Sequence, residues 1–161
     1  MRSPPRRARR DGHRTHGRQG PGHRRVDDQL GGEAVNDLAE LLAPPSEPAV
    51  SRALAAYRQR LLDSYGHRFV AAYLFGSRAR GEHRPDSDAD IAIVLKALAG
   101  TPVDEKMRLV DLAFDALTDT GLMIQPWPFT QAQWEGREAG GRFAELLAAA
   151  RRDGKLIEMQ P

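Results

Sequence analysis

Asp88 and Asp90 stand two residues apart at the start of an apolar run that ends at Leu95. On an extended backbone successive side chains alternate, so both carboxylates share one face and Ala89 turns to the other. Side by side they repel, and a divalent cation relieves that repulsion. Mg²⁺ suits such a pair, because it accepts carboxylate oxygens and keeps positions for water and phosphate. Shortly before them comes Gly76-Ser77-Arg78-Ala79-Arg80-Gly81, directly after a second apolar run, Phe69–Phe75. Glycine lets a backbone approach a phosphate closely. Ser77 adds a hydroxyl donor, and a short helix starting there adds free N–H groups and its dipole. Arg78 and Arg80 carry guanidinium groups that match phosphate oxygens. The pattern describes a site for a metal-bound nucleoside triphosphate. Asp88 and Asp90 are its candidate metal ligands and catalytic residues; Gly76, Ser77, Arg78 and Arg80 are its candidate nucleotide contacts.

Each half also has a plain structural reading. Gly-Ser turns are common, and the two acids could solvate a loop and cap a strand. Asp86 continues the spacing but follows Pro85, which assigns it to the turn.

The elements around the motif follow from apolar spacing. A short helix is expected over Val35–Leu42, ended by Pro44-Pro45. Val50, Leu54, Tyr57, Leu61 and Tyr65 recur every three or four residues and predict a helix over 50–65, capped by Gly66. Phe69–Phe75 reads as a buried strand and Asp90–Leu95 as a second. Thr101-Pro102-Val103-Asp104 has the form of a capping box with proline in the first turn. The helix it opens should run to about Thr118, with Met107, Val110, Phe114 and Leu117 on its buried face. Leu122–Phe129 is a third strand, and Pro126 and Pro128 assign it to a sheet edge. Thr130–Trp134 reads as a helical turn, and Phe143, Leu146, Leu147 and Ala150 mark a last helix stopped at Gly154. The order helix, strand, strand, helix, strand, helix predicts a small α/β (α+β) domain with a mixed β-sheet and flanking helices. Trp127 and Trp134 could stack on a base or a partner, but packing at a sheet edge is the favoured reading.

Composition bounds the rest. The chain has 161 residues with 24 basic and 22 acidic side chains, a formal charge of +2. Residues 1–25 hold nine of the basic groups and one of the acidic, leaving 15 basic and 21 acidic beyond them. The two expected units are a disordered Arg-rich tail over 1–34 and a mildly acidic globular domain over 35–161. The tail reads as solvated, or as the result of a start codon placed too far upstream. Nucleic acid is expected to bind only weakly, through that tail. No stretch approaches the roughly 20 apolar residues of a membrane helix. The absence of cysteine fits a reducing compartment, so a cytoplasmic location is expected.

The combined pattern Leu74-Phe75-Gly76-Ser77-Arg78-Ala79-Arg80-Gly81 and Ser87-Asp88-Ala89-Asp90-Ile91-Ala92-Ile93-Val94 resembles the signature of the DNA polymerase β-like nucleotidyltransferases. It is most similar to the bacterial minimal nucleotidyltransferases. The resemblance implies that Gly76 and Ser77 hold a triphosphate and that Asp88 and Asp90 ligate Mg²⁺. It implies transfer of a nucleoside monophosphate, AMP from ATP, to a hydroxyl acceptor. It further implies that the acceptor can be a protein, since domains of this kind pair with small helical HEPN toxins and act as their antitoxins. One departure stands out. The resemblance implies a third carboxylate on the following strand, and Leu122-Met123-Ile124-Gln125-Pro126-Trp127 contains none. Gln125 cannot supply negative charge; Glu135 and Glu138 are the candidate substitutes. The competing expectation is therefore a catalytically weak or inactive binding module that acts by protein contact.

Overall fold

A computed structural model of the chain describes residues 43–158. The expected helix over 35–42, the Arg-rich stretch 1–34 and the boundary between them lie outside the described residues.

Helix α1 spans Glu47–Tyr65. It starts ahead of the apolar stripe that predicts it, because Ser46 accepts a hydrogen bond from the Ala49 N–H and a proline lies in its first turn. Val50, Leu54, Tyr57, Leu61 and Tyr65 are all buried, and Gly66 (φ 51°) ends the helix with its N–H on the Leu62 carbonyl. A 3₁₀ turn leads into β1, Phe69–Phe75. Helix α2, Gly76–Arg80, and a loop then reach β2, Ala89–Leu95. Helix α3, Pro102–Thr120, opens with the expected capping box between Thr101 and Asp104. Strand β3, Ile124–Thr130, is followed by the short α4, Gln131–Trp134, and by α5, Ala144–Asp153. A final strand, β4 (Lys155–Leu156), was not expected: two residues are too few to show an alternating pattern.

The sheet order is β3-β2-β1-β4. β1 runs antiparallel to β2 and to β4, whereas β2 and β3 are parallel and joined across α3. β3 is an edge strand, as its prolines require; Pro126 and Pro128 stand in register with Ile91 and Ile93. Ile91, Ile93 and Leu95 face one core, built with Tyr57 and Leu61 of α1 and Leu109 and Ala113 of α3. Ala92, Phe75 and Phe129 face a second, smaller core closed by Leu147 and Ala150 of α5. By alternation Asp90 belongs to the face of Ala92.

One expectation fails. Met107 and Phe114 are 55% and 60% exposed, and Val110 and Leu117 are only half-buried. The inward residues of α3 are Glu105, Leu109 and Ala113. The helix carries two apolar stripes at helical spacing, so periodicity alone cannot choose between them. Polar contacts fix its rotation: the Tyr57 hydroxyl donates to the Leu109 carbonyl (3.0 Å), and the Tyr65 hydroxyl donates to Glu105 (2.7 Å).

Candidate nucleotide and metal site

The site forms where β1 ends and β2 begins. Antiparallel pairing sets Phe75 opposite Asp90, so the turn after β1 lies beside the second carboxylate. Gly76 has φ 71°, in the region side chains resist, and a Cβ there would come within 2.9 Å of the Asp90 Oδ2. Glycine is needed for both reasons. Ser77 follows in the first turn of α2. β2 begins at Ala89, so Asp90 lies within the strand and Asp88 just ahead of it. The Ala89 N–H donates to the Met123 carbonyl (2.8 Å), which ties this corner to β3.

The two arginines depart from expectation. Arg78 is buried, with Nε donating to the Ser87 carbonyl (2.9 Å) and a terminal nitrogen donating to the Pro85 carbonyl (3.1 Å). It pins the loop that delivers Asp88 and has no free fork for a phosphate. Arg80 is tied to Glu82 and Asp153, each at 2.8 Å, and fastens α2 to the end of α5. Both side chains serve the backbone around the motif. Only Gly76, Ser77, Asp88 and Asp90 of the expected set converge.

β3 supplies two neutral donors to the carboxylates. Gln125 stands in register with Asp90, and its amide lies 3.5 Å from the Asp88 Oδ2. The Trp127 indole N–H donates to the Asp90 Oδ1 at 3.3 Å. β3 runs beside β2, and the residue it sets beside the two aspartates is an amide, not an acid. Glu135 and Glu138 do not substitute: they follow the far end of β3, on the order of 16 Å along the strand from Gln125. Glu135 is paired with Arg137, and Glu138 lies against Thr130.

Sequence reading passed over Lys106. Its Nζ sits 3.0 Å from the centre of the Trp127 ring. Trp127 thus stands between a cation on its face and a carboxylate at its edge, whereas Trp134 stacks on Tyr73 as ordinary packing. No sequence signal marks Lys106, because its role depends on how α3 packs against β3.

Burial raises the Asp90 carboxyl above its usual range; the Trp127 N–H opposes this, the Asp88 charge adds to it, and Lys106 opposes it. Burial lowers the Lys106 ammonium, which Asp90 partly offsets. Asp88 is exposed. Two carboxylates with lone pairs to spare fit one Mg²⁺ held through them, with water and phosphate completing its shell. Among the described residues, no group of three or more His, Cys, Asp or Glu could hold a metal by protein donors alone.

A Gly-Ser turn abutting a paired-carboxylate strand, in a mixed sheet with flanking helices, defines a nucleotidyltransferase fold. The model of the family described as Polymerase beta, Nucleotidyltransferase matches residues 59–122, which is less than half of the chain. That stretch runs from the second half of α1 to just past α3. No curated protein matches the chain. Among solved structures, it is similar to a toxin-antitoxin crystallised with AMP-PNP, at 18% identity over 66% of this chain and 73% of that one, with a TM-score of 0.45. It is also similar to a candidate nucleotidyltransferase from Sulfolobus solfataricus, at 19% identity over 69% and 86% of the two chains, with a TM-score of 0.45. A third is a mutant of the toxin-antitoxin MntA-HpeT, at 17% identity over 66% and 73%, with a TM-score of 0.44.

Proposed function

We propose that the chain is a Mg²⁺-dependent nucleotidyltransferase that moves AMP from ATP to a hydroxyl group on a partner protein, with a HEPN-type toxin as the acceptor class. The observation that carries this reading is the contact of the Gly76 turn with Asp90, with Asp88 beside it. A phosphate-binding turn and a carboxylate pair that meet in one corner have no need of each other in a purely structural role. The resemblance of the motif to minimal nucleotidyltransferases supports the acceptor class.

The Gly76 backbone and the Ser77 hydroxyl bind phosphate oxygens. Asp88 and Asp90 would hold Mg²⁺, which would neutralise phosphate charge. Gln125 and Trp127 orient the two carboxylates. The acceptor oxygen bonds to the α-phosphorus, and the bond from that phosphorus to the oxygen bridging it to the β-phosphate breaks. Pyrophosphate leaves with the electron pair, and the hydroxyl proton passes to water. Catalysis of this kind is mostly positioning and charge compensation.

A second reading has its own support: an amide at Gln125 and a lysine near Asp90 weaken the negative field that a metal site uses. On that reading the domain binds its partner without transfer. Incubation with α-labelled ATP, Mg²⁺ and a candidate HEPN-type toxin separates the two. Label on the toxin, lost in Asp88→Asn and Asp90→Asn, supports transfer. An unlabelled toxin that still binds all three proteins sinks it. We assign the reaction to the cytoplasm and to residues 35–161. Residues 1–34 contribute salt-dependent nucleic-acid contact at most, and their deletion should remove that contact and leave ATP binding unchanged.

A further inference from the structure

The charge arrangement around the site assigns a role to Lys106. Mg²⁺ on Asp88 and Asp90 cancels only the charge of its own ligands. A bound triphosphate brings further negative charge, and the motif's own arginines do not meet it. Arg78 is buried on the Ser87 and Pro85 carbonyls, and Arg80 is held by Glu82 and Asp153. Lys106 lies on the face of the ring whose N–H donates to Asp90. It makes no ion pair within 4 Å among the described residues; its contact is the Trp127 ring face, 3.0 Å from Nζ to the centroid.

That contact has the character of a parking position. A ring face attracts an ammonium without saturating its three N–H donors. The lysine stem is long and flexible, so Nζ can leave the ring for an anion that enters beside Asp90. A lysine with a structural task would be expected on carbonyls or carboxylates, as Arg78 and Arg80 are. Trp127 meets the two groups with different parts, its ring face with the cation and its N–H with Asp90.

We infer that Lys106 is a polyphosphate-binding residue of this site, held on Trp127 until nucleotide enters and then moved onto a phosphate oxygen. The inference rests on the nucleotide reading of Gly76, Ser77, Asp88 and Asp90 and adds to it the cation that sequence reading sought in the arginines.

The test is calorimetric titration of the full chain and of Lys106→Gln and Lys106→Arg with ATP in saturating Mg²⁺, and with AMP. Trp127 emission is followed in parallel, with Trp127→Phe identifying its share. Lys106→Gln should weaken ATP binding roughly tenfold to a hundredfold, the scale of one charge-assisted contact. It should weaken AMP binding much less, and Lys106→Arg should recover most of the ATP affinity. ATP should change Trp127 emission in the parent chain and not in Lys106→Gln. Equal ATP affinity in the parent chain and Lys106→Gln overturns the inference and leaves the nucleotide reading intact. Equal losses for ATP and AMP also overturn it, since they mark a structural role. If the parent chain binds no ATP, the inference and the nucleotide reading fall together.

Discussion

Two carboxylate centres lie at opposite ends of β2, and they are built by opposite rules. Glu105 is fully buried beyond the strand's end. It accepts from the Tyr65 hydroxyl (2.7 Å) and the Ala99 N–H (2.7 Å), with Arg68 at 3.5 Å and Arg108 at 3.6 Å. Asp88 and Asp90, at the strand's start, have one long contact each to β3 and a lysine that spends itself on a ring. A buried charge persists only when its lone pairs are met. Glu105 is therefore a fastener, joining α1, the loop after β2 and the start of α3. The aspartates keep unmet acceptor capacity and partial exposure, the condition of a group that awaits a ligand.

The largest effect expected from this contrast is on stability at Glu105. Glu105→Ala leaves Arg68, Tyr65 and the Ala99 N–H without their acceptor and opens a void. Urea unfolding should show a loss of about 3 kcal/mol or more. A loss below about 1 kcal/mol would erase the distinction between the two centres.

Gly76→Ala comes next. The new Cβ meets Asp90 Oδ2 on a backbone at φ 71°, so a cost of about 1–3 kcal/mol is expected in the same assay. ATP binding should be lost with it, because the carboxylate must move.

Asp90→Asn should act in the other direction on stability. A carboxyl raised above its ordinary value binds its proton more readily when folded. Its contribution is greatest below the unfolded value and is lost as pH rises through the folded one. Removing the charge removes that loss, so the variant should equal or exceed the parent chain at neutral pH, by at most about 1 kcal/mol given the partial exposure. Denaturant melts at pH 4 and pH 7 would check the sign.

The smallest effects belong to the outward stripe of α3. Met107→Gln and Phe114→Gln should each change stability by less than about 0.5 kcal/mol, as exposed positions do. Leu109→Ala, two residues from Met107, should cost about 2–5 kcal/mol.

These outcomes also mark where sequence was informative. The turn at Gly76, the capping box at Thr101, the stop at Gly66 and the edge position of β3 were legible because each depends on a local rule about one residue type. That Leu122–Trp127 carries no acid was equally plain; that it sets Gln125 opposite Asp90 is a matter of strand register, which needs the structure. The buried face of α3 was not legible: the stripe through Met107 and Phe114 is as apolar as the one through Leu109 and Ala113, and the choice was made by hydroxyls on α1 and a glutamate. The fate of Arg78 was equally hidden. Its reach to the Ser87 and Pro85 carbonyls depends on how the loop returns, which no spacing encodes. Lys106 enters the site only because α3 packs against β3, which brings Nζ to the Trp127 ring.

The central claim is that the aspartate centre, unlike Glu105, is built to receive a metal-bound nucleotide. Calorimetric titration of ATP into the parent chain, Asp88→Asn and Asp90→Asn, each with and without Mg²⁺, tests it most directly. The account predicts Mg²⁺-dependent binding in the parent chain and a loss of at least roughly tenfold in each variant, with folding intact. ATP binding that is indifferent to Mg²⁺ and to both substitutions would contradict it.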